Sequence, residues 1–157
     1  MVDPHVNGRA VVIGYGNPLR QDDGIGWRAV ELLEQMLPVG SAEFIQCYQL
    51  TPELAANLAD ASMVVFLDAA CDQQPGAISS VPVHAEGAVV WSHYLTPGQL
   101  LSLSERLCGS GKAPLAFLIR GGIQRMDLAE GLTELGEQTA SQMADLALGY
   151  VRAALAV

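Results

Sequence analysis

The stretch SMVVFLDAA, Ser62 to Ala70, constrains the fold more than any other part of the chain. It is apolar without interruption, of strand length, and it closes on an acid. Such a run fits a strand buried on both faces, which requires covering layers on each side of a parallel sheet. RAVVIG (Arg9–Gly14) and APLAFLIRGG (Ala113–Gly122) have the same character, and AEFIQCYQL supplies a further strand. Between them lie helical patterns. GIGWRAVELLEQML repeats Ile25, Trp27, Ala29, Val30, Leu32, Leu33 and Leu37 near helical spacing, and Pro38 and Gly40 end it. TPELAANLADA is read as a helix capped by Thr51, with Pro52 at its first position. TPGQLLSLSERLCG opens in the same way at Thr96 and Pro97, and TELGEQTASQMADLALGYVRAAL is a long terminal helix. AISSVPVHA reads as an edge strand that tolerates Pro82, and AVVW as a weaker strand. The alternation predicts an α/β fold, a three-layer α/β/α domain spanning residues 1–157, with a short, mostly parallel twisted sheet of about five strands.

Charge narrows the function classes. The formal net charge is -9. A chain this acidic repels phosphate backbones, which argues against nucleic acid as a partner. It suits a metal ion, a cationic peptide or a basic protein, or it serves solubility alone. Cys47, Cys71 and Cys108 are odd in number and form no C-x-x-C pair, so reduced thiols are expected. The N-terminus carries no signal-peptide pattern and no apolar run reaches membrane-spanning length, so a cytoplasmic, soluble protein with no membrane partner is expected; it is also expected to be a monomer.

In a sheet of this kind ligands bind beyond the carboxyl ends of the strands. The first such end carries GYGNPLRQDDGIG. It is not a dinucleotide fingerprint, because Leu19 stands where the third glycine is needed, and no Walker loop occurs. Asp22 and Asp23 occupy the place an anionic phosphate would want. The opposite reading makes the acids ligands. Asp23 lies beyond the first strand, Asp68 ends the third, and His93 precedes the Thr96 helix. Two carboxylates and an imidazole converging on one rim would make an open metal site. Each also has a structural reading. Asp22 or Asp23 caps a helix, Asp68 accepts backbone N–H groups, or His93 is a surface histidine.

These residues also carry a resemblance. GYGNPLRQDDGIGWRAVELLE resembles the opening of the hydrogenase maturation endopeptidases, matching at Gly14, Gly16, Asn17, Leu19, Asp22, Asp23, Gly24 and Gly26. QLTPELAANLADA, VVFLDAACDQQPGAI, WSHYLTPGQLLSLSERLCG and LIRGGIQ are similar to later family segments, so the likeness covers most of the chain. The resemblance implies a twisted sheet between helices. It also implies an enzyme that removes a C-terminal peptide from the large-subunit precursor of a nickel–iron hydrogenase. By motif, the residues that engage metal fall on Asp23, Asp68 and His93, and the nickel is supplied by the precursor rather than resident. Some members carry Glu at the place of Asp23, and some place their histidine after a Ser-Pro pair where this chain has Gly98 after Thr96-Pro97.

Neither H-E-x-x-H nor G-x-S-x-G occurs, which leaves metal assistance or carboxylate acid–base work for hydrolysis. On this reading a polarised water attacks near Asp23, Asp68 and His93. Asp22 is a reserve base or a cap, and Gly14, Gly16 and Asn17 shape a turn for the extended peptide. The competing readings are a non-cleaving binding module or chaperone for the precursor, a nucleotide-binding oxidoreductase, and a peptidase with its own metal.

Overall fold

A computed structural model describes residues 8–87, 93–109, 113–124 and 126–156, without the side chain of Cys108. Among the described residues five strands form one sheet: β1 (Ala10–Tyr15), β2 (Glu43–Cys47), β3 (Met63–Ala70), β4 (Ile78–Pro82) and β5 (Leu115–Gly122). Their order is β2-β1-β3-β5-β4. The first four positions pair in parallel, and β4 runs antiparallel on the edge beside β5. Pro82 is the last residue of that edge strand, where its missing N–H costs no ladder bond. The weaker strand AVVW, residues 88–91, lies outside the described residues.

The apolar runs are buried on both faces because two different layers use their alternating side chains. Val12, Val65, Leu67 and Ile119 face α1 (Ile25–Met36) and α3 (Glu134–Leu155), packing on Ile25, Ala29, Leu33, Met143 and Val151. Val11, Ile13, Val64 and Phe66 face α2 (Pro97–Cys108) and a 3-10 segment, Pro52–Leu58, packing on Leu58, Leu100 and Leu101. The three layers expected from the sequence are therefore present. At about 25 cal/mol per Å² of buried apolar surface, these two half-cores supply most of the drive to fold.

Local signals explain most boundaries. Thr96 caps α2 through a reciprocal capping box with Gln99, and Pro97 fills the first turn. Thr51 does not act in this way. No side-chain cap bond forms there, and its hydroxyl interacts with the Glu53 carboxylate instead. The expected helix over residues 51–61 is accordingly a seven-residue 3-10 segment, ended at Ala59 and followed by Asp60 with φ of 60°. β3 also runs two residues past Asp68, because Ala69 and Ala70 continue to pair with Gly121 and Gly122. No helix among the described residues is long and apolar enough to cross a membrane.

Candidate active site

The sheet order creates a switch point. From β1 the chain passes through α1 to β2 on one side, then returns to β3 on the other. The crevice beyond the carboxyl ends of β1 and β3 is therefore where an α/β sheet of this type opens for a ligand. The turn after β1 is built by tight internal packing. A Cβ on Gly14 would overlap the Gly26 carbonyl oxygen, and one on Gly26 would press into the Leu67 carbonyl oxygen. The first turn of α1 thus sits directly against β1 and β3. Gly16, at φ of 142°, has room for no side chain because the Asp23 backbone lies against it. The glycines serve the closeness of strand, turn and helix within the chain.

This packing divides the two adjacent acids. Asp22 is 2% exposed and turns inward. Its Oδ1 accepts the Thr133 N–H at 2.8 Å and its Oδ2 the Thr133 hydroxyl at 2.6 Å. Thr133 in turn accepts the Gly136 N–H as the cap of α3. Asp22 therefore anchors the start of another helix, and neither acid side chain caps α1 or the 3-10 turn before it, Gln21–Gly24. Asp23 points the other way, and its Oδ2 accepts the Asn17 N–H at 2.8 Å. Asn17 also turns its own Oδ1 to the Leu19 N–H at 2.9 Å, which fixes the loop locally.

Asp23 and Asp68 stand close enough for their charges to interact. Burial pushes the Asp68 carboxyl up to about 6, and the Asp23 charge adds to the rise. The Ala69 N–H, donated to Asp68 Oδ1 at 2.8 Å, the Arg120 guanidinium and the Tyr15 hydroxyl act in the opposite direction. The Tyr15 phenol is itself held far above its usual range, chiefly by burial and then by the Asp68 charge. It remains a neutral donor at every physiological pH. The pattern is a partly dehydrated carboxylate beside a second one, able to bind a cation or to take up a proton near neutrality.

His93 is exposed and directly follows residues 88–92, which are outside the described residues. It lies near enough to Glu53, at the start of the 3-10 segment, to help lower that carboxyl's pKa. Two residues on, the Leu95 N–H donates to the Leu50 carbonyl at 2.9 Å. Among the described residues no three His, Cys, Asp or Glu side chains are grouped as a metal would need. The structure thus brings Asp23 and Asp68 together and leaves His93 apart from them. Cys71, just beyond β3, is exposed and lies 3.0 Å from the Met126 sulfur.

Sequence reasoning passed over two residues at this rim, Tyr15 and Arg120. Tyr15 is paired with Cys47, Asp68 with Arg120, and Arg120 with Ser79. With Gly14 opposite Leu67, Tyr15 falls level with Asp68, so one row crosses all five strands. The available signal was register. Both residues sit at strand carboxyl ends, in phase with the α2-facing positions Ile13, Phe66 and Leu118.

No protein-family model matches the chain, and no curated protein matches it. Solved structures do. A nickel–iron hydrogenase maturation protease, HycI from Thermococcus kodakarensis KOD1, superposes with a TM-score of 0.72 at 24% identity, over 92% of each chain. The hydrogenase maturating endopeptidase HybD from E. coli gives 0.70 at 25% identity, covering 92% of this chain and 93% of that one. A hydrogenase 2 maturation peptidase from Thaumarchaeota archaeon SCGC_AB-539-E09 gives 0.65 at 26% identity, covering 90% and 96%. Along about nine-tenths of its length, the chain stands by fold with the hydrogenase maturation endopeptidases.

Proposed function

We propose that the protein is an endopeptidase that removes the C-terminal extension of a nickel–iron hydrogenase large-subunit precursor once nickel has been inserted. The observation that carries the reading is the Asp23–Asp68 pair at the switch point of this fold. Paired carboxylates at such a rim suit a cation held by the substrate, and solved relatives of this fold are named as hydrogenase maturation peptidases. In this proposal the nickel is part of the substrate. Asp23 and Asp68 engage it and hold the scissile peptide against the rim, and His93 joins them as the third ligand when the precursor docks. A water polarised between metal and carboxylate attacks the carbonyl carbon. Asp22, committed to Thr133, contributes by fixing the turn that presents Asp23.

The test is an intact-mass assay of the purified protein with nickel-loaded and nickel-free precursor. Loss of a C-terminal peptide from the nickel-loaded form alone is the expected result. Stable binding with no mass change in either form would replace the peptidase reading with that of a precursor chaperone.

A further inference from the structure

We infer that Arg120 is a catalytic residue of this site, whose guanidinium binds the carbonyl oxygen of the scissile peptide bond as it becomes an oxyanion. The inference rests on the endopeptidase reading and deepens it.

Hydrolysis makes two demands on the rim. A carboxylate or the substrate's metal must activate water, and a positive or hydrogen-donating group must meet the charge that develops on the carbonyl oxygen. The acid pair answers only the first. The second falls to whatever donors share the crevice. Arg120 lies directly across from Asp68 on the neighbouring strand, at the usual strand spacing of about 4.8 Å. Its charge is felt by both Asp68 and Tyr15, so the guanidinium lies on the same side of the sheet as the two groups it would serve. The chain has only 8 Lys and Arg against 17 Asp and Glu, and this cation is placed beside two of those acids.

The mounting of Arg120 suits the role. Its Nη2 donates to Asp72 Oδ1 at 3.0 Å and its Nη1 to Asp72 Oδ2 at 3.5 Å, so one edge of the fork is held by a carboxylate. Asp72 is 71% exposed while the Arg120 side chain is 30% exposed. An ion pair of that exposure is weak and exchangeable. It aims the guanidinium while using two of its five donors. The loop bearing Asp72 is itself secured, since Gln73 Nε2 donates to the Ala77 and Arg120 carbonyls and the Ser79 hydroxyl donates to Gln73 Oε1.

A carboxylate at the precursor's C-terminus is the other anion that suits an arginine. That group is removed from the scissile bond by the length of the released peptide, at about 3.3 Å per extended residue. A side chain level with Asp68 meets the reacting bond. The step balances as ordinary hydrolysis. The water oxygen bonds to the carbonyl carbon while its proton passes to a carboxylate. The tetrahedral oxyanion rests on Arg120 until the C–N bond breaks, and the proton then goes to the leaving amine.

The experiment compares wild type with Arg120→Ala and Arg120→Lys on nickel-loaded precursor, separating kcat from KM. Arg120→Ala is expected to lose about a hundredfold in kcat with KM little changed, and Arg120→Lys less. Added guanidinium ion at sub-denaturing concentration is expected to restore part of the Arg120→Ala rate, which a purely structural arginine would not allow. Full kcat in Arg120→Ala, or a loss confined to KM with no guanidinium rescue in either variant, overturns the role of Arg120. If Arg120→Ala does not fold, kcat in Arg120→Lys decides, and an unchanged value there overturns the role. If the wild type leaves the precursor uncut, the endopeptidase reading falls and takes this inference with it.

Discussion

On the proposed function, Asp68 is the residue at which activity and stability pull apart. In the unfolded chain its carboxyl titrates near 3.8, and in the folded protein near 6. Between those values the folded state holds the extra proton, so stability falls as pH rises through that window and stays lowered above it. A dehydrated carboxylate is destabilising when its surroundings do not fully offset the lost hydration. Asp68→Asn removes the charge and keeps the shape. It is expected to raise the unfolding free energy by something on the order of 2 kcal/mol at about pH 8, with the gain vanishing near pH 4. It should also abolish processing. Urea unfolding at the two pH values measures the first effect, and a variant less stable than its parent at the higher pH would show that Asp68 is a structural acceptor. The sequence marked Asp68 because an acid closing an apolar strand is conspicuous. Tyr15 and Arg120 were not legible in the same way, since each reads as an ordinary strand end until the register aligns them.

At the scale of elements, the double acid after β1 is a joint between two helices. Asp23 folds back on the Asn17 turn, while Asp22 reaches the start of α3, more than a hundred residues later. Sequence spacing cannot show such a partner, because the contact is made only when α3 packs beside α1. Asp22→Ala would leave the Thr133 N–H without its acceptor and loosen the cap. The expected cost is about 3 kcal/mol, typical of losing charge-assisted bonds in a buried place. Asp22→Asn, which keeps one acceptor, should cost less. Urea midpoints rank the three proteins, and an Asp22→Ala midpoint equal to wild type would remove the anchor argument. The elements themselves were mostly readable. Runs such as Met63–Leu67 and the capped start at Thr96 have strong local causes. Residues 51–61 misled because Thr51 followed by Pro52 resembles a helix start. The threonine hydroxyl is spent on Glu53, and the chain closes only a 3-10 segment before Asp60 turns it.

For the whole molecule, the net charge of -9 and the acid pair have to be considered together. An acidic surface lowers the local potential everywhere, which makes a bare carboxylate pair costlier to ionise and a cation-bearing partner easier to attract. The fold concentrates this effect. Its two apolar half-cores leave charge at the periphery, and the switch point places Asp23 and Asp68 at the carboxyl-end rim of the sheet, partly buried, rather than within either half-core. On the proposed function, a precursor presenting bound nickel should therefore dock under electrostatic guidance. Raising salt from about 0.1 M to about 1 M shortens the screening length from about 10 Å to about 3 Å. KM for the nickel-loaded precursor should then rise severalfold. The rate at saturation should change little, because Asp68 and Tyr15 are shielded from salt by burial. Steady-state processing across that salt series measures both quantities. A KM that falls with salt would mean that docking is apolar, through exposed side chains such as Leu19 and Leu128, whose segments are joined where the Ala129 N–H donates to the Leu19 carbonyl.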